Sequence, residues 1–278
     1  MSRKQVVLLT LVAMLAFAGN SLLCRLALQQ GGMDPASFTL VRLGSGALVL
    51  WTIIRLRGFS GLPGSWGSAL ALFAYAAGFS FAYVSLAAGT GALLLFGAVQ
   101  VTMIGYGLWR GERLSPRQRL GLLLALGGLV GLLLPGLSAP PLAGALLMLG
   151  AGVAWGVYSI RGRGAGDATA VTAGNFLRAV PLALGLGLLA LPGVNFNAGG
   201  VLYAVLSGGI ASGLGYALWY AALRGLQATT AATVQLSVPL LTAVGGTLFL
   251  GEAVSLRLVL ASVAILGGIA LVIRARAG

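Results

Sequence analysis

Uncharged, predominantly apolar runs occupy residues 58–109, 120–160, 179–223 and 225–251. A membrane-spanning helix needs roughly 20 apolar residues, so the first three runs each hold two helices and the last holds one. Clusters of Gly, Pro, Asn and Arg interrupt the pattern at 31–35, 55–63, 87–91, 111–116, 135–141, 161–167, 192–197, 224–227 and 251–257. Such clusters read as turns. Between them the pattern predicts helices near 5–28, 37–55, 66–87, 91–110, 117–134, 142–161, 169–190, 199–223, 227–250 and 257–274. A transmembrane barrel would instead show short alternating segments. The expected fold class is an all-α integral membrane protein with ten transmembrane helices. Ser2-Arg3-Lys4, the apolar run after it and Ala16-Phe17-Ala18 have the form of a signal peptide. The run continues to Cys24, however, and has a counterpart in the second half, so it is read as the first span.

Composition agrees with this reading. Of 278 residues, 59% are hydrophobic and 8% charged, more apolar surface than a soluble domain can clothe. The net charge of +13 would suggest nucleic acid for a soluble chain, but the basic residues stand singly or in pairs between apolar spans, and topology accounts for them. With a cytoplasmic N-terminus, Arg3, Lys4, Arg55, Arg57, Arg110, Arg113, Arg117, Arg119, Arg161, Arg163, Arg224, Arg274 and Arg276 fall inside, 13 of 17 basic residues. Arg25 and Arg257 fall outside, and Arg42 and Arg178 lie within spans. Both termini are therefore expected to be cytoplasmic. The lone Cys24, the absence of His and only four acids leave no material for a metal site or a His-dependent catalytic site. No cofactor and no enzymatic activity are expected.

The two halves repeat each other. Gly111-Glu112-Arg113-Leu114-Ser115 matches Gly251-Glu252-Ala253-Val254-Ser255, and Ala16-Phe17-Ala18-Gly19-Asn20-Ser21 matches Ala154-Trp155-Gly156-Val157-Tyr158-Ser159. Phe38-Thr39-Leu40-Val41-Arg42 aligns with Gly174-Asn175-Phe176-Leu177-Arg178, Tyr83-Val84-Ser85-Leu86 with Tyr220-Ala221-Ala222-Leu223, and Leu126-Gly127-Gly128 with Leu266-Gly267-Gly268. The offsets stay between 136 and 140, in order along the chain. Five spans per half is an odd number, so residues 1–137 and 138–278 are expected to form two five-helix repeats inverted in the membrane.

These residues resemble the drug/metabolite transporter superfamily in its ten-span EamA-type branch. The resemblance rests on an aromatic-bearing first helix, an Arg in the second, Tyr-x-x-Leu leaving the third, and a fourth with a central Pro that ends in Gly-Glu. The second half carries Trp155, Arg178, Tyr220-Ala221-Ala222-Leu223, Pro239 and Gly251-Glu252; the first half departs from the pattern at Val99, where the Pro would stand. Within the branch the chain is most similar to the YddG-type amino-acid exporters. The resemblance implies a central cavity, alternating access, a small-molecule substrate and a bacterial cytoplasmic (inner) membrane. Nucleic acid is not an expected partner, and a monomer or weak homodimer is.

Arg42 and Arg178 are the charges deep in spans, where each needs a partner or water. Either could bind a substrate carboxylate, or serve packing; Arg178 is taken into the candidate cavity and Arg42 as structural. Tyr75, Phe79 and Tyr83 share one helical face, as do Ser212, Tyr216 and Tyr220, with Trp219 beside them. With Phe17, Asn20, Trp155 and Tyr158 they suggest a cavity that stacks on ring-bearing side chains and attracts an ammonium by cation–π contact, although plain packing fits the same pattern. Gln100, Gln235, Asn175 and Thr233 either join helices or face the cavity. Pro239 is expected to kink or hinge its helix, Gly111, Glu112, Gly251 and Glu252 to mark turns, and Gly127-x-x-x-Gly131 to pack closely against another helix. All four acids fall in loops, which disfavours proton-coupled export of lipophilic cations. The expectation is export, or downhill efflux, of neutral and preferably aromatic amino acids. The alternatives are a drug or other small-metabolite exporter of the same fold, or a lipid flippase.

Overall fold

The computed structural model describes residues 1–136, 138–162, 166–226, 231 and 234–277. Thr233 and Arg163 lie outside the described residues. Helices follow one another as α1 (Arg3–Gln29), α2 (Pro35–Leu56), α3 (Trp66–Ala82), α4 (Ala88–Trp109), α5 (Pro116–Leu133), α6 (Leu142–Arg161), α7 (Ala168–Leu189), α8 (Ala198–Leu223), α9 (Ser237–Leu250) and α10 (Leu256–Ala277). Seven of them (α1, α2, α4, α6, α7, α8 and α10) are long and apolar enough to cross a membrane. α3 and α9 are apolar but shorter, and α5 carries Arg117, Gln118 and Arg119 in its first turn.

The helix starts follow from local chemistry. Ser2, Asp34, Ser65, Ser115, Asp167 and Asn197 each cap with a side-chain oxygen that accepts a backbone N–H. Pro35 and Pro116 begin α2 and α5, where a missing N–H is harmless. α4 lacks a cap of its own at Ala87, and the Glu252 carboxylate supplies one from afar, accepting the Ala88 N–H at 2.7 Å. α3 ends at Ala82, five residues short of the predicted end, because Tyr83 to Ala87 turn across the helix mouth, with the Tyr83 carbonyl held by Arg25 at 2.9 Å.

The repeated Gly-Glu loops are built alike. Gly111 (φ +90°) and Gly251 (φ +66°) take the left-handed conformation that ends a helix. In each loop the following Glu folds back over an earlier Gly, since a Cβ at Gly107 or Gly246 would sit 2.7 Å from the Glu112 or Glu252 carboxylate.

α5 packs most extensively on α10, and α2 on both α8 and α7; α6 packs on α3 and α4, α1 on α8 and α9, and α4 on α9. The α5–α10 crossing is closed by Gly121 and Gly268, whose backbones touch so closely that a Cβ on Gly121 would lie 2.5 Å from the Gly268 carbonyl. Gly127 and Gly131 face open space instead, so the predicted close-packing pair is not the one used. α5 has two glycine-bearing faces, and the one at 121 and 128 meets α10. Large apolar side chains such as Leu11 and Leu15 on α1, Leu123 on α5 and Val263 on α10 are exposed, as expected of surfaces solvated by lipid rather than water.

The loops are tied in two sets. In one, Asp34 accepts the Asn195 N–H at 3.0 Å, Gln29 reaches the Val84 carbonyl, Arg257 reaches the Leu134 carbonyl, and Arg25 pairs with Glu252 at 3.0 Å. In the other, Arg161 donates to Ser65 and Ser68, and the 57–65 connection folds along α7.

Candidate functional site

Aromatic side chains from α1, α3, α6 and α8 form a continuous chain of rings at the centre of the bundle. Trp155 of α6 is its hub. Its ring lies 4.7 Å from Tyr75, 5.2 Å from Tyr158 and 5.3 Å from Tyr216 between centroids. Tyr75 continues to Phe79 at 5.6 Å, and Phe79 to Tyr83 at 4.7 Å. On the other side Tyr216 meets Phe17 at 5.7 Å, and Phe17 meets Trp219 at 6.1 Å. Tyr75, Phe79, Tyr83, Tyr158, Tyr216 and Trp219 are buried, whereas Trp155, Phe17 and Tyr220 keep some exposure. The i, i+4, i+8 spacing on α3 and α8 therefore does converge on one place.

Polar groups sit along the edge of the rings. Tyr158 and Tyr220 share Thr172, whose Oγ1 lies 3.4 Å and 3.1 Å from their hydroxyls. Asn175 donates to the Tyr158 hydroxyl at 3.4 Å and accepts the Ser65 N–H at 3.0 Å. The Asn20 side chain contacts the Tyr75 hydroxyl at 3.5 Å and accepts from Ser207 at 2.5 Å. Ser207 belongs to a π-helical stretch, Leu206–Leu214, inside α8. Wider i→i+5 turns of this kind occur mostly as short insertions and often at functional sites. Neither Ser207 nor Thr172 stands out in the sequence. The Ser207-Gly208-Gly209 and Ser212-Gly213 clusters were the available signal.

The two deep arginines part company. Arg42 is 2% exposed. Its guanidinium lies over the rings of Phe79 and Tyr75, at 4.7 and 5.1 Å, and donates to the Tyr75 hydroxyl at 2.9 Å. Arg178 turns to the 57–65 connection and donates to the carbonyls of Leu62, Pro63 and Gly174. Gly174 has no room for a side chain, because Pro63 presses on it. Gln100 is buried on α4 and Gln235 is half-buried. Pro239 is the third residue of α9, and the turn at Leu236 just before it marks where the helical ladder breaks.

An apolar groove of about 660 Å³ lies apart from the rings, between α9 and α10, lined by residues that include Leu240, Val244, Leu248, Val259 and Val263.

Residues 142–274 match the EamA-like transporter family. An uncharacterized protein of Pseudomonas aeruginosa is 59% identical over 281 residues, spanning 100% of this chain and 98% of that protein. The chain carries an EamA-like transporter domain over residues 142–274. Proteins of that family are transporters, and seven of the described helices here are long and apolar enough to cross a membrane. A solved structure titled "Crystal structure of protein" is similar in fold, with a TM-score of 0.69, 23% identity and 98% of each chain covered.

Proposed function

We propose that this chain is a ten-span exporter of neutral amino acids, aromatic ones preferred, working by alternating access between two inverted five-helix halves in a bacterial inner membrane. The observation that carries the substrate class is the chain of eight rings centred on half-exposed Trp155. Ring faces offer a planar side chain stacking area and offer an ammonium a cation–π seat. The hydroxyls and amides at their edge supply the few fixed polar groups that orient a zwitterion.

Two features support the inverted halves. Exchanging α1–α5 with α6–α10 maps the main packing pairs onto themselves: α3–α6 onto α8–α1, α4–α6 onto α9–α1, and α2–α7 and α5–α10 onto their own reverse. The tied loops also keep to one parity. With alternating spans, Asp34–Asn195, Gln29–Val84, Arg25–Glu252 and Arg257–Leu134 fall on the outer face, and Arg161–Ser65 on the inner.

Asp34, Asp167 and Glu252 lie at helix ends or turns, so the reading gives no carboxylate the role of proton carrier at membrane depth, and flux runs down the amino-acid gradient. The test is uptake into proteoliposomes from an amino-acid panel, with and without an imposed pH gradient. Saturable flux of aromatic amino acids that ignores the gradient is expected. Strict dependence on the gradient would remove the uncoupled mechanism, and indifference to every amino acid would remove the substrate class. The α9–α10 groove favours the flippase alternative only in shape, since its lining carries no charged group for a lipid head.

A further inference from the structure

Among the described residues, Arg42 is the charged one whose surroundings are least complete. It is fully buried in the first half of α2, and among the described residues no carboxylate pairs with it. The ion pair there is Arg25–Glu252, and Asp34 and Asp167 are engaged by backbone N–H groups at helix starts. Nη2 has the Tyr75 hydroxyl. Nη1 is buried and has no hydrogen-bond partner. A guanidinium without an anion is costly to bury, and native proteins rarely leave such a donor unmet unless a ligand or water completes it.

The other buried side-chain atom without a partner, among the described residues, is Ser212 Oγ. It belongs to the π-helical stretch of α8. α2 packs along the π-helical stretch of α8, and Gly208 of that stretch lies so tightly beneath the Arg42 carbonyl that no side chain fits there. One serine of the stretch, Ser207, already reaches the network through Asn20 and Tyr75. In an α-helix residues five apart point about 140° from each other. The i→i+5 repeat turns them towards one side, so Ser212 is brought round to the face of Ser207. Both are buried, at 1% and 0% exposure. The π-helical stretch thus turns two buried serines, one of them bonded to Asn20, towards one side of α8.

We infer that Arg42 Nη1 and Ser212 Oγ, flanked by the Tyr75 hydroxyl and Asn20, form the receptor for a small monoanion, and that this anion is the α-carboxylate of the transported amino acid. The assignment rests on the amino-acid reading above and goes further by naming Arg42, not Arg178, as the carboxylate's partner. The geometry suits the task. Trp155, the ring with residual exposure, is one ring contact from Tyr75, and Tyr75 carries the hydroxyl on Arg42. An aromatic side chain bedded on Trp155 would have its carboxylate directed past Tyr75 towards Nη1 and Ser212. Substrate charge then completes the site: the carboxylate neutralises the lone guanidinium, and the ammonium remains for the ring faces. An amine without a carboxylate brings a second positive charge to Arg42 and is rejected.

The experiment uses the full chain in lipid nanodiscs and reads binding by calorimetry. The probes are L-phenylalanine, 3-phenylpropionate (no ammonium), phenethylamine (no carboxylate) and sodium chloride. Phenethylamine is expected to bind at least about tenfold more weakly than L-phenylalanine, the scale of a lost charge-assisted hydrogen-bond pair. Ser212→Ala should weaken both carboxylates several-fold and leave phenethylamine unchanged, and Arg42→Gln should abolish the preference. Tyr75→Phe and Ser212→Ala are small enough to carry the test if Arg42→Gln does not fold. Phenethylamine binding as tightly as L-phenylalanine, or a carboxylate preference surviving Ser212→Ala undiminished, overturns the inference. If no aromatic amino acid binds but 3-phenylpropionate does, and Ser212→Ala abolishes it, the receptor stands and the amino-acid reading falls. Saturable chloride binding that 3-phenylpropionate does not displace makes the anion inorganic and overturns the carboxylate assignment.

Discussion

Removing the Glu252 carboxylate should loosen α1, α3, α4 and the α9–α10 turn together. One oxygen pairs with Arg25 Nε at 3.0 Å and the other accepts the Ala88 N–H at 2.7 Å, while Arg25 also holds the Tyr83 carbonyl at 2.9 Å. An exposed ion pair is worth about 0.2–1 kcal/mol, whereas breaking a fully buried one costs about 3–5 kcal/mol. Both side chains here are 14% exposed, nearer the buried limit. Glu252→Gln keeps an oxygen for Ala88 and should cost about 2 kcal/mol. Glu252→Ala also strips α4 of its N-terminal cap, adding about 1 kcal/mol. At roughly 2–4 °C per kcal/mol for a chain of this size, the melting temperature should fall by about 4–8 °C for Gln and about 6–12 °C for Ala, read by fluorescence-detected thermal unfolding in detergent. Arg25→Met combined with Glu252→Gln should be less destabilising than the sum of the two, with a coupling of at least about 1 kcal/mol. Gly246→Ala should imitate the loss, since its methyl would occupy the carboxylate's place. Strict additivity, or a melting temperature unchanged in Glu252→Ala, would refute the reasoning.

Gly121→Leu should destabilise by about 2 kcal/mol or more through overpacking against the Gly268 backbone, while Gly127→Leu and Gly131→Leu, which face open space, should leave the melting temperature within about 1–2 °C of wild type. At Asp34, partial burial pushes the carboxyl up, but hydrogen bonds from Asn195, Ser37 and Ala36 outweigh it and hold it below the ordinary carboxylate value. Its stabilisation is therefore present above the unfolded value of about 4 and is lost as pH falls through the folded one. The melting-temperature gap between wild type and Asp34→Asn should stay constant from about pH 8 to pH 5 and close below about pH 4. Cys24, the one cysteine in the chain, is buried, so single cysteines can be added without a reactive background. In intact bacterial cells, Val254→Cys should react with a membrane-impermeant thiol reagent and Arg113→Cys should not; labelling of Arg113→Cys, or equal labelling of both, would contradict the inverted halves.

The helical segments were legible because Gly, Pro and Arg punctuate long uncharged, mainly apolar runs. The repeated Gly-Glu loops were legible because a left-handed glycine cannot be replaced cheaply. Helical spacing alone put Tyr75 and Phe79 on one face of α3; their link to Tyr216 of α8 through Trp155 is a matter of tertiary packing. Three features were hidden. A π-helical stretch changes which residues share a face without changing composition, so Ser207 gave no periodic signal and the stripe of Ser212, Tyr216 and Tyr220 did not include it. α5 carries two glycine faces, and spacing cannot say which meets α10. Arg42 and Arg178 are matched in the repeat, yet the 57–65 connection folds back to satisfy Arg178 with carbonyls, and among the described residues no equivalent segment offers a carbonyl to the Arg42 guanidinium. That difference arises in tertiary packing, beyond the reach of local pattern.

The most direct test is a structure of the full chain with L-tryptophan at saturating concentration. The account predicts the indole against Trp155 and Tyr216 with the carboxylate on Arg42 and Ser212. Density for the ligand in the α9–α10 groove, or at Arg178, with the ring-lined centre unchanged, would contradict it.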